Sequence, residues 1–277
     1  METIQILNNF QLEGGKIISC SRYGNGHINS TFLVTMEDER KYILQKINNH
    51  VFPNVDGLMN NINYVTSYLK EAAKKRGGNP ERETLNIVST KDDKLYFFDG
   101  ESYYRVYLFV TDSITLESVT SKDEFELCGS AFASFTKLLA SFDASKLCEV
   151  IVNFHNTETR FNHFKKAVLD DNCGRAKEVQ DEIKFIYERS EDTKRVINLI
   201  KEGRIPLRVT HNDTKLNNIL FDNKTREPLC VIDLDTIMPG SALYDFGDSI
   251  NKSFITVPWS KTFLILTKQQ FIIFWIE

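Results

Sequence analysis

One stretch of the chain holds residues that could do chemistry together. It reads His211-Asn212-Asp213-Thr214-Lys215-Leu216-Asn217-Asn218, then Ile219-Leu220-Phe221, a polar turn from Asn223 to Pro228, and Leu229-Cys230-Val231-Ile232-Asp233-Leu234-Asp235. The pattern is loop, strand, turn, strand, carboxylate. In such a hairpin the residue before the first strand and the residue after the second lie side by side, so Asn218 and Asp233 converge. An amide and a carboxylate make an oxygen-only site suited to Mg²⁺, which takes few protein ligands and completes its shell with phosphate and water. Asp213 would lie beside that metal, facing an incoming hydroxyl. Phosphoryl transfer needs positioning, charge neutralisation and one group to accept the nucleophile's proton, and Asp213, Asn218 and Asp233 supply these parts. Lys215, two residues after the expected base, would steady the transferred charge.

A second segment, Tyr23-Gly24-Asn25-Gly26-His27-Ile28-Asn29-Ser30-Thr31, places a glycine-rich turn between two strands, where bare backbone amides at Gly24 and Gly26 would lie against phosphates. A dinucleotide fingerprint is excluded, because that motif needs a third glycine and a following helix.

Lys16–Ser21, Thr31–Thr35, Lys41–Lys46, Leu95–Phe98 and Ser102–Val110 are short and rich in β-branched or aromatic residues, which predicts one antiparallel sheet. Between the third and fourth strands, Leu58, Ile62, Val65 and Leu69 form the stripe of an amphipathic helix with Asn54 as its cap, and Gly77-Gly78-Asn79-Pro80 ends it. After Asp112 the period becomes helical: Phe125–Phe142, Gly174–Arg189 and Thr193–Lys201 all read as helices. A sheet lobe joined to a helical lobe by a short link at Val110–Ser113 is the layout of a cleft enzyme.

Composition agrees. The 277 residues are 42% hydrophobic, enough for two modest lobes, and the net charge of -4 with no basic block argues against nucleic acid as a partner. Five cysteines at wide spacings, Cys20, Cys128, Cys148, Cys173 and Cys230, form no CxxC pair and read as reduced thiols of a cytoplasmic protein. The first residues lack a signal-peptide pattern, and the apolar run Phe254–Ile276 is broken by Lys261, Lys268, Gln269 and Gln270, so no membrane anchor is expected.

The His-x-Asp-x-x-x-x-Asn segment and its later Asp resemble the catalytic loop of the aminoglycoside phosphotransferase and choline kinase superfamily, relatives of the protein kinases. That resemblance implies an α+β, protein-kinase-like two-lobe fold, with residues 1–112 as the nucleotide-binding lobe, 113–250 as the helical lobe and 251–277 as an atypical tail. It implies ATP as phosphoryl donor, Asp213 as base, and Asn218 with Asp233 on Mg²⁺. It gives Lys46 the place of the lysine that pairs with nucleotide phosphates, and the link around Val110 the place of the hinge that meets adenine through backbone groups. The acidic partner such a lysine needs is not evident: similar sequences carry Glu where this one has Asn60, and Asp56 is a substitute.

A narrower resemblance, to the N-acetylhexosamine 1-kinases, rests on Asn25-Gly26-His27-Ile28-Asn29, Ile43-Leu44-Gln45-Lys46-Ile47-Asn48, Tyr104-Arg105-Val106-Tyr107, Phe154-His155-Asn156-Thr157 with Arg160, and Ile232 through Gly240. It implies transfer of the ATP γ-phosphate to the anomeric hydroxyl of GlcNAc or GalNAc. A pocket for so polar a substrate needs several hydrogen-bonding groups, and His27, Arg160 and Asp248 are the candidates, with Lys215. Asp245, in Tyr244-Asp245-Phe246-Gly247-Asp248, mimics the kinase Asp-Phe-Gly but follows an extra loop, and is expected to brace the catalytic loop instead. After Ile250 the sequence departs from its relatives, which suggests a shortened helical lobe. The alternatives are therefore a kinase for choline, an aminoglycoside or another small alcohol, or an inactive nucleotide-binding protein.

Overall fold

The computed structural model of the chain describes residues 3–24, 26, 28–116 and 121–254, and within that range all side chains except those of residues 122 and 250–254. The first lobe opens with a short helix α1 (Thr3–Leu7) and strands β1 (Ile17–Arg22), β2 (Ser30–Met36) and β3 (Lys41–Ile47). Helix α2 (Val55–Lys75), helix α3 (Pro80–Glu83), and strands β4 (Ile87–Val88), β5 (Phe97–Phe98) and β6 (Tyr103–Leu108) follow. All six strands make one antiparallel sheet in the order β1-β2-β3-β6-β4, with β5 on β6. The expected strand at Leu95–Phe98 is shorter than its apolar residues suggest. Leu95 and Tyr96 pack on the core instead of pairing.

Helix α2 forms as the stripe predicts. The Asn54 side chain accepts a hydrogen bond from the Gly57 N–H, satisfying an otherwise unpaired first-turn donor. Leu58, Ile62, Val65 and Leu69 are all buried, each contributing about 1.5–3 kcal/mol by leaving water. The two sheet faces have different partners. Ile43, Ile47, Tyr103 and Tyr107 face α2, whereas Tyr42, Leu44, Tyr104 and Val106 pack with Ile6, Leu7 and Phe10 on the α1 side.

The second lobe contains β7 (Ser113–Ile114), α4 (Lys122–Leu138), α5 (Thr157–Asp170), α6 (Gln180–Glu188), α7 (Asp192–Lys201), β8 (Arg208–Thr210), β9 (Ile219–Asp222), β10 (Pro228–Val231), β11 (Met238–Gly240) and α8 (Ala242–Phe254). Helix α4 begins and ends a few residues before the expected Phe125–Phe142, because Ser121 caps it by accepting from the Glu124 N–H. The helix expected over Gly174–Arg189 starts only at Gln180, after a 3₁₀ turn at Ala176–Glu178. Helix α5 has no counterpart among the expected elements. Strands β9 and β10 form the predicted hairpin, with β7 on the far side of β9, and β8 pairs with β11.

The lobes share one core. Ile47 and the buried face of α2 meet Phe135, Leu139, Val209, Leu234, Ile237 and Met238 of the second lobe in a single apolar cluster. The Asn61 side chain ties the same junction, donating to the carbonyls of Cys148 and Ile237 and accepting from the Cys148 N–H. All five cysteines are free. Among the described residues no helix is long and apolar enough to cross a membrane.

The link between lobes is clamped by Arg82 of α3. Its guanidinium donates to the carbonyls of Thr111 and Asp112 and to Asp222 at the end of β9, 3.1 Å away. Asp222 also accepts from the N–H groups of Thr225 and Lys224. These backbone donors, with a smaller share from Arg82, lower its pKa from 3.8 to about 2. A depressed carboxylate contributes stability above its unfolded pKa and loses it as pH falls through the folded one. Asp222→Asn should therefore lower the thermal midpoint at pH 7, and the gap to the unsubstituted protein should close between about pH 4 and pH 2; a gap that stays constant across that range contradicts the clamp.

Candidate active site

The loop from His211 to Asn218 enters from β8 and is held through its backbone. Asp245, buried on α8, accepts from the N–H groups of His211 at 2.9 Å and Asn212 at 2.7 Å. Burial raises the Asp245 pKa, and the two N–H donors act against that rise. One turn along α8, Asp248 accepts from the Thr214 N–H at 2.7 Å and from its hydroxyl. His211 is fully buried with Phe132 and Phe135 edge-on to its ring. Its Nε2 lies 2.9 Å from the Ile232 carbonyl, which can only accept, so Nε2 carries the proton and Nδ1 accepts from the Asp213 N–H. Asn212 sits in the left-handed region at φ 64°, a conformation held only where surrounding bonds over-determine it.

These bonds present one cluster of polar side chains. The Asp213 carboxylate, 23% exposed, lies 2.9 Å from Lys215 Nζ. It also accepts from Asn218 Nδ2, likewise at 2.9 Å. Lys215 Nζ is 4.0 Å from Asp233, which is 44% exposed. The Ile232 N–H donates to the Asn218 carbonyl at 2.9 Å, so the hairpin brings Asn218 and the start of the Asp233 segment side by side. Asp233 stands at φ 58°, ψ 58°, capping a one-turn 3₁₀ helix, Leu234–Thr236. Desolvation and then the charge of Asp235 raise its pKa, with Lys215 opposing. Among the described residues no three His, Cys, Asp or Glu side chains form a metal cluster. Asn218 is buried with its side-chain nitrogen engaged by Asp213, whereas the Asp233 carboxylate is half-exposed.

Gly24 has φ 73°, in the region that favours glycine, and a Cβ added at Gly24 or Gly26 would meet nothing within 4 Å. The turn is thus open for close approach of a ligand to the backbone. Its Tyr23 ring meets Phe109 edge-on at 6.0 Å, which sets the turn beside the link. Val110 is buried there, and its carbonyl accepts from the Ser113 hydroxyl.

Lys46 does not join this group. Strand alternation puts it on the α1 face with Tyr42 and Leu44, exposed, and no carboxylate lies within ion-pair distance of it among the described residues. Asn60 is exposed, and Asp56 accepts from the Tyr96 hydroxyl at 2.7 Å instead of meeting a lysine. The cation on the α2 face is Arg105 of β6, 1% exposed. It forms a two-pronged ion pair with Asp235 at 2.6 and 2.8 Å and donates to Gln45 at 2.9 Å. Burial lowers the Arg105 pKa, but the charge of Asp235, with Tyr107, more than offsets this and the net shift is upward, so Arg105 stays charged. Removing either partner would strand a buried charge at a cost of about 3–5 kcal/mol. Sequence reasoning gave Arg105 and Asp235 no role. The available signal was an arginine inside an aromatic strand, which requires a carboxylate somewhere.

Of the expected acceptor-site residues, Arg160 on α5 is half-buried. It donates to the Phe154 carbonyl, and its pKa is lowered by burial and supported by the nearby Asp248. Arg160 and Asp248 are thus neighbours, and Asp248 touches the catalytic loop. His27 lies outside the described residues, as does the tail from residue 255 on.

A six-stranded antiparallel sheet lobe joined to a helical lobe is the arrangement of kinase-like phosphotransferases. Residues 19–271 match the sequence profile of the phosphotransferase enzyme family, and the chain belongs to that family. Solved structures share the fold. They include an aminoglycoside phosphotransferase from Alicyclobacillus acidocaldarius, 14% identical over 98% of this chain and 77% of that one, with a TM-score of 0.59. An amicoumacin kinase in complex with AMP-PNP, Ca²⁺ and Ami is 11% identical over 97% and 75%, with a TM-score of 0.59. A microcompartment-associated aminopropanol kinase is 16% identical over 96% and 79%, with a TM-score of 0.52.

The bracing of the loop is directly testable. Asp245→Ala leaves two buried N–H donors unpaired and should destabilise the chain by about 2–4 kcal/mol in denaturant unfolding; a loss under about 0.5 kcal/mol would show that the loop is held by other means.

Proposed function

We propose that this chain transfers the γ-phosphoryl group of ATP to a hydroxyl of a small polar molecule, and that the acceptor is the anomeric hydroxyl of an N-acetylhexosamine such as GlcNAc or GalNAc. The observation that carries the kinase reading is the Asp213 carboxylate, held between Lys215 Nζ and Asn218 Nδ2 at 2.9 Å each on a loop fixed by Asp245. In that position Asp213 would orient a hydroxyl and take its proton as the oxygen attacks phosphorus. Lys215, between Asp213 and Asp233, supplies positive charge beside the transferring group. Asn218 and Asp233 would hold Mg²⁺, which supplies charge neutralisation at the phosphate oxygens. Gly24 and Gly26 offer backbone amides to the phosphates, and the link at Val110 offers backbone groups to the base. Lys46 has no role on the cleft side in this account.

The sugar reading rests on the resemblance of the segments at 25–29, 43–48, 104–107, 154–157 and 232–240, and on the polar pair Arg160 and Asp248 beside the loop. A guanidinium and a carboxylate next to the catalytic loop suit an acceptor with several hydroxyls and an acetamide, since each unpaired polar group in a closed site would cost affinity.

The test is ADP release from Mg-ATP with GlcNAc, GalNAc, choline, aminopropanol and an aminoglycoside as acceptors. Release with the two sugars well above the others is expected. Asp213→Asn should lower turnover by about 10²–10⁴-fold without unfolding the chain. Release with an amino alcohol or aminoglycoside instead would keep the kinase and replace the sugar. A folded chain that binds Mg-ATP and phosphorylates none of them would favour the inactive reading.

A further inference from the structure

We propose that Arg105, Asp235 and Asn29 are positioning residues for the metal and nucleotide, forming a buried strut through which the sheet lobe sets Asp233 and the glycine-rich turn. The inference rests on the kinase reading above. Arg105 leaves β6 toward α2 and is too deeply buried to reach a phosphate itself. Nη2 donates to Asp235 Oδ2 at 2.8 Å and Nη1 lies 2.6 Å from Oδ1 as an ion-pair contact, while Nε donates to Gln45 of β3, whose amide donates on to the Thr31 hydroxyl of β2. A hydrogen bond on one oxygen and an ion-pair contact on the other restrict the plane of the carboxylate as well as its position.

Asp235 has a second partner across the cleft. Asn29, at the end of the glycine-rich turn, donates from Nδ2 to Asp235 Oδ2 at 2.6 Å, and its own oxygen accepts from the Asn48 N–H. One carboxylate of the metal loop is therefore bound by β6 and by the turn that faces the phosphates. Asp235 lies in the single 3₁₀ turn that Asp233 caps in the left-handed conformation. A turn of three residues has no slack, so a displacement of Asp235 passes to Asp233 and to the direction of its carboxylate. Groups that orient a metal ligand in this way change metal affinity or activity by about 10–100-fold when removed. With Lys46 on the opposite sheet face, this strut takes over the link between sheet lobe and metal loop that a cleft-facing lysine would otherwise make.

The test uses the full chain and the variants Asp235→Asn and Asn29→Ala, with ADP binding followed by calorimetry across a Mg²⁺ titration, and thermal midpoints measured without ligand. Asp235→Asn should raise the Mg²⁺ concentration for half-maximal ADP binding by about 10–100-fold. Asn29→Ala, which leaves the Arg105 pair intact, should raise it by about tenfold, with a smaller drop in the ligand-free midpoint than Asp235→Asn shows. In turnover, KM for ATP should rise while KM for the acceptor stays put. A purely structural tie would lower the ligand-free midpoint and leave the Mg²⁺ requirement of both variants at its original value, which overturns the proposal. Should Asp235→Asn fail to fold, Asn29→Ala decides alone. If the unsubstituted chain binds ADP but phosphorylates no acceptor, the binding measurement still decides the strut; if it binds no Mg-nucleotide at all, the kinase reading falls and the strut with it.

Discussion

A guanidinium can be taken out of water only if a carboxylate and further acceptors meet it. That constraint, imposed at Arg105, is what the relation between the lobes depends on. The apolar junction of α2 with Leu234, Ile237 and Met238 holds the lobes together, but apolar contacts are non-directional. The Arg105–Asp235 pair adds direction: it admits one placement of the 234–236 turn beneath the sheet, and so one placement of Asp233 beside Lys215.

Below the turn the same logic operates through backbone groups. Two carboxylates of α8, Asp245 and Asp248, accept from the N–H groups of three residues of the 211–218 loop, His211, Asn212 and Thr214. The loop pays for this in strained φ values at Asn212 and Asp233, which cost about 1–3 kcal/mol each and persist where neighbouring bonds over-determine them. The outcome is that Asp213, Lys215 and Asn218, within six residues of sequence, present their polar ends to one point. A fold that fixes side chains before a ligand arrives reduces the reorganisation needed during phosphoryl transfer.

Much of this was legible in the sequence because the signals are local. The Leu58, Ile62, Val65, Leu69 stripe and the Asn54 cap define α2, and the strand-turn-strand pattern after Asn218 is enough to bring Ile232, just before Asp233, against it. What was not legible depends on parity or on distant pairing. Lys46 and Gln45 are neighbours in a strand, and one residue decides which sheet face each takes; the strand's composition does not say which. Arg105 finds its partner 130 residues away, and Arg82, on a helix of four residues, joins segments that a reading by period treats as unrelated loops. Helix α5, with polar residues along most of its exposed side, carries only a weak apolar stripe at Phe161 and Phe164.

The most direct measurement is a structure of the chain with Mg²⁺ and a non-hydrolysable ATP analogue. The account predicts a metal at about 2.1 Å from an Asn218 side-chain oxygen and an Asp233 oxygen, with the terminal phosphate facing Asp213 and with Asp235 still on Arg105. A metal held by Asp235 or Asp245 in place of Asp233, or a nucleotide bound away from the glycine-rich turn, would contradict it.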